Sequence, residues 1–115
     1  YRLPASQFQS VFRSGQKVYA DDFVCVLRKS SGDVSRFAFV VSTKIAKHAV
    51  DRNRMKRMLR EAVHHLLPSI QSGCDIVFVI KNNFADKTEI EVEKVLHELF
   101  SGKLRILGNS ENQNL

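Results

Sequence analysis

Residues 39–61 read FVVSTKIAKHAVDRNRMKRMLRE, and a change of rhythm inside this stretch decides the architecture. Its opening residues continue a β-branched and aromatic run, 36–42 (RFAFVVS), a composition that suits an extended strand. From Val50 onward the apolar residues Met55, Met58, Leu59, Ala62, Val63, Leu66 and Leu67 fall three and four apart. That spacing describes one face of a long helix, which Pro68 stops. A strand therefore feeds an amphipathic helix through a short connection.

Upstream, residues 6–13 place Phe8, Val11 and Phe12 on one helical face, with Ser6 as candidate cap and Gly15 as the stop. Val18 and Tyr19 suit a brief strand, and 23–28 (FVCVLR) a clear one. Residues 30–33 (SSGD) carry turn chemistry, which predicts a hairpin between the strands at 23–28 and 36–42. Downstream, Gly73 leads into 75–80 (DIVFVI), apolar enough for an interior strand and compatible with a parallel one. Thr88 and Glu91 form a capping box opening a last helix that carries Ile90, Val92, Val95, Leu96, Leu99 and Phe100 as far as Gly102. The order α-β-β-β-α-β-α is that of an α+β sandwich with helices covering a sheet. Nothing divides residues 1–107, read as a single domain, and the polar 108–115 (GNSENQNL) is expected to be a disordered tail.

With 43% hydrophobic and 26% charged residues among 115, the composition is that of a globular domain rather than a disordered chain. No apolar run approaches the roughly 20 residues needed to span a bilayer, and no secretory leader is visible, so the expected compartment is the cytoplasm. Cys25 and Cys74 sit apart in apolar stretches, without CxxC spacing. They read as buried thiols, with neither disulfide nor zinc. His48, His64, His65 and His97 lack metal-ligand or HExxH spacing, and Asp21-Asp22 looks like a turn. No metal and no catalytic residue is assigned to the polypeptide.

Charge is the informative quantity. The chain carries 18 Lys and Arg against 12 Asp and Glu, a net charge of +6. Residues 1–60 hold thirteen of the basic residues and only four of the acids. Such one-sidedness in a small domain points to a polyanion, most often nucleic acid. Its centre is 44–60, with Lys44, Lys47, Arg52, Arg54, Lys56, Arg57 and Arg60 against the single acid Asp51. At about 100° per residue, Arg52, Lys56, Arg60, Asn53 and Arg57 form a row flanking the apolar stripe, whereas Arg54 falls outside it and reads as structural or peripheral. A face serving solubility alone would mix signs to gain i,i+4 pairs, and this row repels itself.

The same stretch closely resembles the signature of the bacterial ribonuclease P protein family. A strand ends in Ser42 and Lys44, Ala49-Val50 opens a helix, and Arg52, Asn53, Arg54, Lys56, Arg57 and Arg60 follow in order and spacing. Phe8 and Phe12 ahead of Gly15, the Phe23 strand, 75–80 and the helix ending in Leu99-Phe100 agree, so the resemblance covers roughly residues 2–101. It implies a fold like the second domain of ribosomal protein S5, with a left-handed β-α-β crossover between the strands near Ser42 and Asp75. It also implies a small protein subunit whose catalytic partner is RNA and whose substrate is precursor tRNA, giving an endoribonuclease only as a ribonucleoprotein. Magnesium would sit at the catalytic RNA, with no cofactor held by the protein, no membrane association and no obligate protein partner. Lys44, Lys47, Arg52, Asn53, Lys56, Arg57 and Arg60 would then bind RNA. Phe8, Phe12, Val26, Ser42, Lys44 and Arg52 would line a cleft for the single-stranded 5′ leader. Val26 stands where relatives often carry a Tyr, and Thr43 replaces a frequent Lys. The rival reading is a structural, ribosomal-type RNA-binding protein without a nuclease role.

Overall fold

The computed structural model describes residues 2–30, 32, 34–69 and 73–102. The expected tail at 108–115 and the domain limit at 107 lie outside them. A single 3-10 turn, Ala5–Gln7, leads into α1 (Phe8–Ser14), followed by β1 (Gln16–Tyr19), β2 (Phe23–Lys29) and β3 (Arg36–Val40). Then come α2 (Ala49–Leu66), β4 (Cys74–Ile80) and α3 (Glu89–Ser101). The anticipated α+β order is the observed one.

The four strands run β1-β2-β4-β3 across the sheet, which corrects the expected hairpin between β2 and β3. β4 enters between them, antiparallel to β2 and parallel to β3. It is the most apolar strand, and the central position removes both of its edges from water. The two ends of the connection between β2 and β3 instead bond to the start of β4: Ser30 N–H donates to the Gly73 carbonyl at 2.7 Å, and Cys74 N–H to Ser35 Oγ at 3.2 Å. Gly73 takes φ +80° there, where a side chain would also meet the Gly32 carbonyl. The hairpin that does form joins β1 to β2, pairing Val18 with Cys25 and Tyr19 with Val24.

Alternation sorts the sheet into two faces. Phe23, Cys25, Leu27, Phe37, Ile76, Phe78 and Ile80 pack against the apolar stripes of α2 and α3 in the main core. Val24, Val26, Ala38 and Val77 face α1 in a smaller cluster with Leu3 and Val11. Cys25 and Cys74 are buried and free, as anticipated. Two stripe residues depart from expectation. Leu67 lies past the end of α2 in a 3-10 turn and is 42% exposed, and Ile90 in the first turn of α3 is 82% exposed. The Thr88 capping box is present: Thr88 Oγ1 accepts from Glu91 N–H at 3.2 Å while Glu91 Oε1 accepts from Thr88 N–H at 2.8 Å. Donation to the Glu91 carboxyl by the Thr88 N–H, and then by the Thr88 hydroxyl at 3.1 Å, holds it below its ordinary pKa.

Candidate nucleic-acid interface

The seven-residue α1 covers only part of the second sheet face, and a network at one end of the sheet fixes where it lies. Arg28 of β2, Asp75 of β4 and Arg36 of β3 are register partners and form one row on the α1 side. Asp75 is fully buried. Its carboxylate accepts from Arg36 Nε at 3.0 Å and Nη2 at 2.9 Å, and from Arg28 Nη2 at 3.2 Å. Burial pushes the Asp75 carboxyl up, but the bonds from Arg36 and then Arg28 outweigh it and leave its pKa below the ordinary carboxylate range. The same guanidiniums reach α1 and the turn that leads into it: Arg36 Nη2 donates to Gln7 Oε1 in the turn at 2.8 Å, and Arg28 Nη1 to Ser10 Oγ in the helix. At the other end of α1, a Cβ on Gly15 would lie 2.8 Å from Val26 Cγ1, so glycine permits the helix to sit this close to the sheet.

Phe8 and Phe12 of α1, both half-buried, pack against the smaller cluster, as do Val40 and Val79 of the sheet. Two rows further along this face Val24, Val79 and Val40 are register partners, with Val79 and Val40 half-buried and Val24 buried. Of the residues expected in a leader cleft, Phe8 and Phe12 flank this surface, and Ser42 and Lys44 are exposed just past its β3 end. Val26 requires a correction: at 1% exposure it packs beneath the Gly15 end of α1 and offers no surface to a ligand.

On the other side of β3, α2 carries the basic row. Asn53, Arg57 and Arg60 are exposed, Lys56 is half-buried, and Lys47 is exposed in the connection before the helix. Arg52 is placed differently from the others, because its Nη1 donates to the Ala46 and Lys47 carbonyls at 2.9 Å each. It ties the β3–α2 connection to the helix. Of the two readings of Arg54, structural or peripheral, the structure gives the first, with Nη2 donating to the Lys87 carbonyl at 3.0 Å. The Arg60 guanidinium lies 5.8 Å above the Phe39 ring, which stacks on Phe78 at 5.2 Å. Between α2 and the outer edge of β3 runs a groove of about 500 Å³, lined by Lys56, Arg60, His64, Arg2, Phe8 and Phe39 among others. Among the described residues, no group of three or more His, Cys, Asp or Glu is placed to hold a metal ion, and no helix is long and apolar enough to cross a membrane.

Sequence reasoning missed Arg2, which reaches the groove because Leu3 N–H bonds the Phe37 carbonyl at 2.9 Å on the edge of β3. It also missed the Arg28–Asp75–Arg36 row. Each member sits at a strand end, where a charge ordinarily means solvent, so only the strand register reveals the cluster.

A single-signed helix face beside a sheet surface edged by aromatics defines a small RNA-binding protein. Comparisons make this more specific. The Ribonuclease P family matches residues 3–103, and the chain belongs to that family. It is 41% identical over 86 residues to the ribonuclease P protein component of Marinomonas sp. (strain MWYL1), covering 73% of this chain and 64% of that protein. Against the ribonuclease P protein component of Bacillus cereus (strain Q1) it is 39% identical over 103 residues, covering 87% and 89%. The fold is similar to that of the Staphylococcus aureus RNase P protein, with a TM-score of 0.82 at 24% identity over 94% and 98% of the two chains.

Proposed function

We propose that this chain is the protein subunit of a ribonuclease P ribonucleoprotein, binding the catalytic RNA through α2 and the 5′ leader of precursor tRNA across the open sheet face. The observation that carries the reading is the adjacency of two unlike surfaces: a row of cations on α2 and, past β3, an apolar face edged by Phe8 and Phe12. Cations neutralise phosphates without reading sequence, and aromatics stack bases of any identity, which is what a subunit serving many precursor tRNAs requires. In this reading phosphodiester hydrolysis belongs to the RNA and the magnesium it holds. The chain lowers phosphate repulsion and orients the leader, so that endonucleolytic cleavage yields mature 5′ ends.

The test is reconstitution of precursor tRNA cleavage with a bacterial ribonuclease P RNA at low magnesium, with and without the chain, beside an arm with the polypeptide alone. Stimulated leader removal with an inactive polypeptide is the expected result. Metal-dependent cleavage by the RNA-free protein, or no stimulation of the RNA, would overturn the reading. Phe12→Ala is expected to weaken precursor tRNA by about 1–3 kcal/mol relative to mature tRNA. A destabilised fold with an unchanged precursor-to-mature ratio would instead assign that ring to the core.

A further inference from the structure

Tyr19 is the largest exposed side chain on β1, and the strand register determines which way it faces. Its neighbour Val18 is buried in the core beneath α2 and α3. Successive side chains alternate, so Tyr19 stands on the opposite face, beside its partner Val24 and on the side where α1 lies. Lys17, exposed and paired with Val26, points to that side by the same rule. The row therefore reads Tyr19, Val24, Val79, Val40 from one edge of the sheet to the other, exposed at Tyr19, buried at Val24 and half-buried at Val79 and Val40. Tyr19 is 65% exposed, whereas Val24 is 8% exposed. The ring thus rises from the β1 edge of a low apolar floor whose other aromatic boundary is Phe8 and Phe12.

The geometry points to Tyr19 and Lys17 as a second leader contact, in which the tyrosine ring stacks on a base and the lysine meets a phosphate. This rests on the leader-cleft reading above and extends it to a new residue pair. Three strand spacings separate β3 from β1, about 14 Å, so a single strand entering beside the α2 row reaches Tyr19 only after crossing the sheet. Phenylalanines at one side and a tyrosine at the far edge would hold successive parts of the leader, as sheet aromatics do in other single-strand RNA binders. Of the two acids in the turn after Tyr19, Asp22 is paired with Lys87 Nζ at 2.6 Å and Asp21 is exposed, so the phosphate contact is placed at Lys17, on the strand side of the ring. The burial of Val26 gives the proposal its particular place in this chain. With Val26 buried in the middle of the sheet, the exposed ring lies at the β1 edge.

The experiment measures affinity for precursor tRNAs of graded leader length relative to mature tRNA, with the reconstituted holoenzyme, for Tyr19→Ala, Tyr19→Phe, Lys17→Gln and Phe12→Ala. Tyr19→Ala is expected to reduce precursor preference about ten-fold for one stacked base. The loss should appear only at leader lengths beyond those at which Phe12→Ala already acts, and Tyr19→Phe should retain preference. Lys17→Gln should reduce affinity for the same long leaders and weaken its salt dependence. Melting curves check that these exposed substitutions leave the fold intact. A Tyr19→Ala holoenzyme indistinguishable from wild type on long leaders, while Phe12→Ala is impaired, overturns this proposal and leaves the cleft reading standing. If neither variant changes precursor preference, the cleft reading itself fails. A Tyr19→Phe protein as impaired as Tyr19→Ala would overturn stacking.

Discussion

Asp75 carries a charge inside the fold, and its neighbours decide what each substitution in the row would cost. Asp75→Asn removes a buried carboxylate but leaves two arginines whose side chains are 24% and 30% exposed and can regain water. The expected loss is about 1.5–3 kcal/mol, the range for hydrogen bonds to a charged group. Arg36→Met should cost more, because it strips a two-point partner from a carboxylate that stays buried. Urea denaturation of both variants checks the order, and the reverse order would mean that water already reaches Asp75. Because the folded-state pKa is depressed, the stabilisation is complete above the ordinary carboxylate value of about 4 and disappears as pH falls through the lower folded value. The difference between wild type and Asp75→Asn should therefore close in acid. None of this was legible in the sequence. Asp75 opens an apolar run and reads as a strand end, whereas helical spacing put Phe8 and Phe12 on one face of α1, and both pack half-buried against the smaller cluster.

α2 and α3 lie side by side over the main core, and an ion pair fastens their outer surfaces: His65 Nδ1 and Glu93 Oε1 are 2.6 Å apart. The hydrogen bond and charge of Glu93, with smaller contributions from Glu61 and Glu89, raise the His65 pKa. The stabilisation is thus complete below the ordinary histidine value of about 6.5 and is lost as pH rises through the raised folded value. Thermal melts of His65→Gln and wild type from about pH 5 to pH 9 should differ at the acid end and converge at the alkaline end. A constant gap would assign the histidine a packing role instead. Element identity was readable because period and caps are local: the α2 stripe, the Thr88 capping box and the apolar β4 run all correspond to observed elements. Partnership between strands was not. SSGD carries turn chemistry whether the chain doubles back on β2 or bonds to the start of another strand, and only the greater apolarity of β4 favours placing it in the middle. Leu67 and Ile90 show the same limit at helix ends, where the periodicity continues after the core has stopped.

Taken whole, the molecule is electrically lopsided. The α2 face carries Arg57, Arg60 and Lys56 with little compensation, while α3 contributes Glu89, Glu91, Glu93 and Glu98. This asymmetry was visible as a count along the chain, since thirteen of the 18 basic residues precede residue 61. What the count could not supply was the division of labour within the motif, because spacing cannot distinguish an arginine bonded to a carbonyl from one facing solvent. Arg52 and Arg54 have backbone carbonyls as partners, so the phosphate-facing cations should be Lys56, Arg57 and Arg60. Each such cation that meets a phosphate releases condensed counterions and adds about 0.7–0.9 to the steepness of log K against log salt. Arg57→Ala should therefore weaken assembly with ribonuclease P RNA and flatten that plot by one such increment. Lys94→Ala, which removes an equal charge from the exposed side of α3, should leave the slope unchanged. Equal slopes lost from both variants would show that net charge alone drives binding, and the row on α2 would then lose its claim to be the RNA interface.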